Sequence, residues 1–247
     1  MNYSEFAKMN EQGRNHWWYN ARREILEHEL SRYSSGNSQQ VRILDMASAC
    51  GYNLPTCARH GMAFGIDLSE YAIMFCKQKN LTRIVQGDVQ YLPYADNTFD
   101  IVVALDVFEH IKEDVASMKE IARILKKGGK LILNVPAFMS LFSYHDEAFE
   151  HLRRYRANEI KEKLRSVNLQ VNFLSYWSFF IFPIIFLMRK VIPGNNKDGK
   201  DNLSDFYRNV PFLVEKILII LNFVELRLIK RKISLPFGVS LYGIAQK

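Results

Sequence analysis

The chain is poor in several features that mark other classes of protein. Its 247 residues include only three cysteines, Cys50, Cys57 and Cys76, and their spacing is unlike that of metal-binding motifs. We interpret them as reduced thiols and expect a cytoplasmic protein, because disulfides are rare in the reducing cytosol. The first fifteen residues are polar and lack the charged-then-apolar layout of a signal peptide.

The chain also lacks long apolar runs and a glycine-rich motif for dinucleotide binding. The apolar run from Trp177 to Met188 contains Pro183 and is shorter than the roughly 20 residues that a membrane-spanning helix needs. We expect this segment to cover the core or to form a homodimer surface, with peripheral membrane contact as the alternative. No G-x-G-x-x-G follows a strand-like segment, which argues against a NAD-dependent dehydrogenase.

The charge balance is basic, with a formal net charge of +7. Such a charge suits an acidic or phosphorylated substrate, or an anionic membrane surface. The lysines and arginines are scattered and no nucleic-acid-binding motif is present. We therefore predict no nucleic-acid partner.

Acidic residues stand at the ends of successive strand-like segments. Val41–Asp45 and Met62–Asp67 are mostly apolar, and a third such segment ends at Asp88. In an open parallel sheet, ligands bind in the crevice beyond the carboxyl ends of the strands, and an acid there can accept hydrogen bonds from ribose hydroxyls. The pattern predicts a nucleotide-type site.

The alternation of strands and helices continues through the rest of the chain. An apolar run over 99–107 predicts a buried central strand, and helical spacing over 115–125 predicts a helix that ends at Gly128–Gly129. Further strands are expected over 130–135, 170–176 and 234–245, and a helix over 210–232. Along one stripe of that helix lie Leu213, Ile217, Leu221, Val224 and Leu228. The alternation favours a doubly wound α/β sheet.

An ordered set of motifs resembles the class I S-adenosylmethionine (SAM)-dependent methyltransferases. The resemblance covers roughly residues 41 to 136, through Ile43-Leu44-Asp45 with Gly51, Gly65 to Ser69, Gln86 to Val89, Leu92 to Val102, Phe108 to Ile111, and Leu125 to Leu131. It implies SAM as cofactor. It also implies a Rossmann-like, seven-stranded, mostly parallel sheet whose last strand is antiparallel.

The resemblance also implies which residues hold SAM. Asp67 is expected at the ribose, and Leu68, Asp88 and Val89 beside the adenine. The methionine portion is expected to meet Asp45, Ala47, Ala49, Gly51, Leu105 and Asp106.

The first loop departs from the family in having Ala47 and Ala49 where glycines are usual. Alanine disfavours positive φ. If the backbone angles there are negative, SAM fits with less clearance; if they are positive, its binding is weakened. We favour a catalytic family member that tolerates small residues, and keep a non-catalytic SAM-binding protein as the alternative.

Asp106, Glu109 and His110 are spaced so that one helical turn would place all three on one face. The trio is similar to the acid-x-x-Glu-His arrangement of quinone-biosynthesis O-methyltransferases, where the resemblance suggests a divalent ion. We favour no metal, with Glu109 and His110 bracing the cofactor loop. His110 is also a candidate general base.

A second constellation contains His145 and then His151, Arg153, Arg154 and Tyr155. It is similar to the His-x-Arg-Arg-Tyr insertion of a methyltransferase subgroup associated with glycan and lipid-linked sugar pathways. The two histidines are further base candidates, and the arginines and tyrosine are expected to bind substrate. The alternative is a solvated helix start whose arginines pair with Glu147, Glu150 and Glu159.

An aromatic segment near the amino terminus resembles the lead of the same subgroup. Within it, Trp18 and Arg22 are expected at the substrate, as part of a helix over 21–30 that closes as a lid. Packing against the sheet is the alternative.

These observations lead to one expected organisation. A helical lid occupies 1–40, a SAM-binding core 41–176 with a substrate loop at 137–157, and a hydrophobic helical insertion with the final strand 177–247. The expected activity is O-methylation of a sugar or lipid-linked glycan intermediate. The alternative is a metal-assisted small-molecule or quinone-type O-methyltransferase.

Overall fold

The fold is a seven-stranded sheet with helices on both faces. The computed structural model describes residues 7, 10, 17–34, 41–191 and 212–247. The strands are β1 (Arg42–Met46), β2 (Met62–Asp67), β3 (Ile84–Gln86), β4 (Phe99–Leu105), β5 (Leu125–Pro136), β6 (Gln170–Trp177) and β7 (Ser240–Gln246). Their order is β3-β2-β1-β4-β5-β7-β6, and β7 runs antiparallel to both neighbours. This confirms the predicted Rossmann-like fold.

Eight α-helices connect these strands in the described part of the chain. They are α1 (Trp17–Tyr33), α2 (Leu54–Ala58), α3 (Glu70–Gln78), α4 (Asp114–Ile124), α5 (Tyr144–Ala148), α6 (Ala157–Ser166), α7 (Phe182–Val191) and α8 (Phe212–Lys230). Helix α2 carries Pro55 in its first turn, where a missing N–H costs little.

The strand order reverses between β1 and β4, and this reversal locates the crevice. Asp45 of β1 pairs in register with Gly65 of β2 and with Val103 of β4. The three strands therefore end at one rim of the sheet, with Asp67 closing β2 and Asp106 following β4. A reversal of this kind is where open α/β sheets bind ligands.

Helix α1 packs against helix α8 through buried apolar side chains. Ile25, Leu26 and Leu30 are buried in one apolar cluster with Leu226 and Ile229 of α8. At the edges of this contact, Lys230 Nζ donates to Glu24 at 2.6 Å and Lys232 Nζ to Glu29 at 2.5 Å. The contacts favour the packing interpretation of α1 over the lid. Most of the segment before residue 17 lies outside the described residues.

The predicted helix end at Gly128–Gly129 is wrong. Helix α4 ends at Ile124, and β5 begins at the next residue. The two glycines lie where the register between β4 and β5 shifts. Gly128 has φ +82°, and a Cβ on Gly129 would come within 2.8 Å of the Lys126 carbonyl oxygen. The glycines allow an irregularity in the strand. A pair of glycines in the sequence does not distinguish such an irregularity from the end of a helix.

The apolar stripe of α8 does not coincide with the buried side of the helix. Val224 is 43% exposed, whereas Glu225, Leu226 and Ile229 are buried. Leu213 and Ile217 have side chains outside the described residues. The helix is apolar on more than one side, so its periodicity does not fix which side faces the core. No helix in the described ranges is long and apolar enough to cross a membrane.

Candidate functional site

Asp45 provides a buried carboxylate at the rim of the sheet. Its Oδ1 accepts a hydrogen bond from Asn53 Nδ2 at 3.2 Å, while Oδ2 is buried without a hydrogen-bond partner among the described residues. Burial raises the pKa of Asp45 to about 7. A buried oxygen left in this state is costly, so the position suits a ligand that brings a donor or a positive charge.

Asp67 holds the two segments that border the expected adenosine site. Its Oδ2 accepts from the Ala49 N–H at 2.8 Å, and its Oδ1 from the Ser69 N–H at 2.9 Å. Burial raises the pKa of Asp67. The next side chain, Leu68, is 67% exposed, which leaves an apolar surface free for a ring. At β3, Asp88 lies two residues beyond the strand and accepts from the Gln90 N–H at 2.8 Å.

The first loop has positive backbone φ angles at both alanines, which is the case in which we expect weaker SAM binding. Ala47 has φ +50°, Ala49 φ +47° and Gly51 φ +75°. Gly51 has a second reason to be glycine, since a Cβ there would lie 2.6 Å from the Leu81 side chain. The two alanines each carry the cost of a left-handed backbone, about 1–2 kcal/mol.

Asp106 does not share a helical face with Glu109 and His110. Its φ is +56°, and only Phe108–His110 form a short 3₁₀ turn. Its carboxylate accepts from the guanidinium of Arg22 and, at 2.5 Å, from Asn134 Nδ2. The predicted trio is therefore not a joint set of metal ligands in this conformation. Leu105, also expected at the cofactor, is 8% exposed.

The three predicted base candidates, His110, His145 and His151, come together, and we call them the histidine cluster. The ring centroids of His110 and His151 are 4.7 Å apart, and those of His145 and His151 are 6.3 Å apart. Asp146 anchors the cluster, because its Oδ1 lies 2.8 Å from His151 Nδ1. The convergence of these segments follows from the fold, since 41 residues separate the first histidine from the last.

The electrostatics of the cluster keep its outer histidines neutral near neutral pH. Loss of hydration lowers the pKa of His145 to about 3. Loss of hydration and the neighbouring His151 lower the pKa of His110 to about 4. Burial alone would raise the pKa of Asp146, but hydrogen bonds and charges from His151 and Arg154 lower it to about 2.

Glu109 is fully buried beside the cluster. Neither carboxylate oxygen has a hydrogen-bond partner among the described residues. Burial, followed by the charge of Asp106, raises the pKa of Glu109 well above its usual range. One ligand atom each from Glu109, His110 and His151 lie within 4.8 Å of one another. These three residues differ from the predicted metal ligands in that His151 replaces Asp106.

The residues expected to bind substrate after His151 have internal partners. Arg154 is 4% exposed and donates to Asp146 Oδ1 at 2.8 Å and to the Ala137 carbonyl at 3.1 Å. Arg153 donates to the Lys112 carbonyl at 2.8 Å. The alternative pairing with Glu147, Glu150 and Glu159 does not match these contacts either.

Tyr155, also expected to bind substrate, has an internal partner as well. The side chain is 0% exposed, and its hydroxyl donates to Asp114 Oδ2 at 2.8 Å. A substrate cannot touch this phenol while that bond stands. Arg22 contacts Asp106 as described above, and the side chain of Trp18 lies outside the described residues.

Sequence reasoning missed two features near the site. Asn134 of β5 fixes Asp106, but one asparagine in an apolar strand gives no pattern to find. A cavity of about 550 Å³ lies between α1, α2 and the first loop. Its lining includes Glu27, Tyr52, Arg59 and Lys79, residues that the motifs did not single out.

The chain is similar to known methyltransferases. Residues 44–133 match the family described as Methyltransferase domain. A demethylmenaquinone methyltransferase from Corynebacterium kroppenstedtii is 28% identical over 109 residues, which cover 41% of this chain and 47% of the relative. The chain thus spans about half the length of that curated relative.

Two solved structures show the same fold. A methyltransferase from Haloferax volcanii, solved in complex with the activator Trm112, has a TM-score of 0.60 at 18% identity, over 99% of this chain and 93% of that one. A SAM-dependent methyltransferase from Archaeoglobus fulgidus has a TM-score of 0.56 at 18% identity, over 91% and 94% of the two chains.

The residues at this rim also fit the cofactor, with an Asp45 oxygen that has no hydrogen-bond partner among the described residues, Asp67 at the end of β2, and an exposed Leu68. The family match and the fold support S-adenosyl-L-methionine as the cofactor. Residues 44–133 thus match a methyltransferase domain, and the chain shares its fold with solved methyltransferases.

Proposed function

We propose that this chain is a SAM-dependent methyltransferase that methylates a hydroxyl oxygen of a sugar or lipid-linked glycan intermediate. The observation that supports the activity is the single rim shared by the cofactor residues and the histidine cluster. Arg22 links them, since it pairs with Asp106, and its charge partly offsets the rise in pKa that burial causes at both Asp45 and Glu109.

The transfer itself is mainly a positioning task. The acceptor oxygen attacks the methyl carbon, the carbon–sulfur bond breaks, and its electron pair stays on sulfur, which leaves S-adenosylhomocysteine. SAM supplies the activated methyl group. The hydroxyl proton must also leave, and the histidine cluster is the titratable group that we place at this step.

An exposed apolar surface beside the cluster supports a lipid-linked acceptor. Ile184 and Leu187 of α7 are 57% and 62% exposed. The same helix contacts the substrate loop, where Arg189 donates to the Leu141 carbonyl and its Nη1 lies 3.6 Å from Asp146 Oδ2. We assign this surface to a lipid tail at a peripheral membrane site, with a homodimer contact as the alternative.

Transfer of a ¹³C-labelled methyl group tests the proposal. The chain is incubated with methyl-¹³C SAM and, in parallel, a lipid-linked glycan extract, the same glycans freed of lipid, and a demethylmenaquinone. We expect an O–CH₃ signal in the NMR spectrum of the lipid-linked glycan fraction. Labelling of the delipidated glycan alone would contradict the role of the apolar surface.

A quinone-type methyltransferase is the second candidate. Similarity to the demethylmenaquinone methyltransferase supports it, and labelled product only in the quinone reaction would replace our acceptor assignment. The positive φ angles of Ala47 and Ala49 support a third, non-catalytic candidate. SAM binding without transfer to any of the acceptors would favour that candidate.

A further inference from the structure

We propose that Glu109, His110 and His151 bind a divalent transition-metal ion, for which zinc is the closest chemical match. Two imidazoles and one carboxylate with an open fourth position form a donor set of catalytic zinc sites. Only the catalytic role of the ion rests on the proposed function; the site itself rests on the geometry below.

The three ligand atoms already lie close to a coordinating arrangement. All are within 4.8 Å of one another. Zinc bonds to nitrogen and oxygen are about 2.0–2.2 Å long, so neighbouring ligand atoms of a tetrahedral site are about 3.3–3.6 Å apart. An inward movement of less than about 1 Å would therefore complete the site.

The buried carboxylate of Glu109 supplies an independent reason for an ion. The residue is 0% exposed, and both of its oxygens lack a hydrogen-bond partner within the described part of the chain. A buried carboxylate without partners is strongly unfavourable. Coordination to a cation would satisfy both its charge and its lone pairs.

Hydrogen bonds hold both imidazoles in place. Asp146 Oδ1 lies 2.8 Å from Nδ1 of His151, which leaves Nε2 for the ion. The His110 ring interacts with the backbone of Glu150. Metal-bound histidines usually donate their second N–H to a carboxylate or a carbonyl in this way.

The carboxylate behind His151 is itself held in place. Arg154 Nε and the Ser143 N–H donate to Asp146 at 2.8 and 2.9 Å. The two ligand-bearing segments are joined by the Leu152 N–H, which donates to the Glu109 carbonyl at 2.8 Å. The internal bonds of the substrate loop thus support the ligands.

An ion at this site gives the histidine cluster a definite role in the proposed reaction. An acceptor hydroxyl in the open position would have a lowered pKa and would lose its proton to solvent more readily. Glu109, His110 and His151 would then act as ligands, and His145 would lie outside the coordination sphere.

Metal binding is measured directly, without SAM or acceptor. Protein dialysed against a chelator is titrated with ZnCl₂ by calorimetry and with CoCl₂ by visible absorption. We expect one ion per chain. Glu109→Gln and His151→Gln should weaken binding about tenfold or more, with circular dichroism unchanged.

Two variants separate this ligand set from its neighbours. His145→Gln and Asp106→Asn should leave zinc affinity within about threefold of the unsubstituted chain, because neither residue belongs to the set. Absence of stoichiometric binding would overturn the site. Unchanged affinity in both Glu109→Gln and His151→Gln would do the same.

The catalytic role is tested separately once an acceptor is methylated. Removal of the ion should abolish turnover, and zinc should restore it. Equal turnover with and without the ion would overturn the activating role. Failure to find any acceptor would count against the proposed function and would leave the binding titration as it stands.

Discussion

The guanidinium of Arg22 pairs with the carboxylate of Asp106 across 84 positions of sequence. This contact ties the first helix to the residue after β4, where backbone φ is +56°. Strain of this kind is often found where a functional side chain is held in place. The helix therefore contributes to the site through a fixed ion pair and through its packing.

Arg22→Gln removes this ion pair. We expect the affinity for S-adenosylhomocysteine to fall about threefold to tenfold, because Asp106 loses the charge that orients it. The measurement is calorimetric titration. Arg32→Gln, on the exposed side of the same helix, is the control and should leave affinity unchanged; equal losses in the two variants would show that Arg22 has no specific role.

Ala49→Gly tests the strain in the first loop. Because Ala49 has φ +47°, glycine should relieve strain and give the ligand more clearance. We expect SAM to bind about twofold to tenfold more tightly, with stability changed by less than about 1 kcal/mol.

Ala58→Gly is the control for Ala49→Gly. It lies in helix α2, where glycine should destabilise the fold by about 0.5–1 kcal/mol without a gain in SAM affinity. If Ala49→Gly bound SAM less tightly than the unsubstituted chain, the strain in the loop would not be what limits binding.

Tyr155→Phe distinguishes a core role from a substrate role. The variant removes the hydroxyl that donates to Asp114 at 2.8 Å. Asp114 still accepts a hydrogen bond from Lys163 Nζ at 2.5 Å in this variant. We therefore expect the free energy of unfolding to fall by only about 1 kcal/mol. The KM for the acceptor should stay unchanged. An increased KM at unaltered stability would restore the original substrate interpretation.

Glu225→Gln should change how stability depends on pH. Glu225 is 2% exposed and accepts from the Phe179 N–H at 3.0 Å. Burial raises its pKa from 4.5 to about 7. Since the folded-state pKa is the higher one, the stabilising contribution is fully present below pH 4.5 and is lost as pH rises through about 7.

Urea unfolding at several pH values measures this effect. The stability of the unsubstituted chain relative to Glu225→Gln should fall by about 2–3 kcal/mol between pH 4.5 and pH 8. Glu162→Gln, at an exposed position, should give a difference that does not vary with pH. A flat difference for Glu225→Gln would mean that the buried carboxylate does not titrate as described.

The rim of the sheet could be predicted from the sequence because it depends on local periodicity. Apolar segments ending at Asp45 and Asp67 fix both the strands and the edge at which they end. The parallel order of those strands then follows from the alternation with helices. The antiparallel last strand and the cofactor came from family resemblance.

The acceptor side could be predicted only in part because its contacts are long-range. The motif containing Arg154 and Tyr155 suggested substrate binding, yet these side chains pair with Asp146 and Asp114 inside the fold. No spacing rule reveals that His151 lies against His110. The buried side of helix α8 could not be predicted for a related reason, because several of its sides are apolar and tertiary packing decides which one faces the core.

The central claim is that Asp67 grips the ribose of SAM at the rim of a parallel sheet. Calorimetric titration of SAM into the unsubstituted chain and into Asp67→Ala tests it most directly. We predict a measurable dissociation constant for the first and an affinity at least about tenfold lower for the second, with the fold retained by circular dichroism. An equal dissociation constant for the two proteins, or no binding by either, would contradict it.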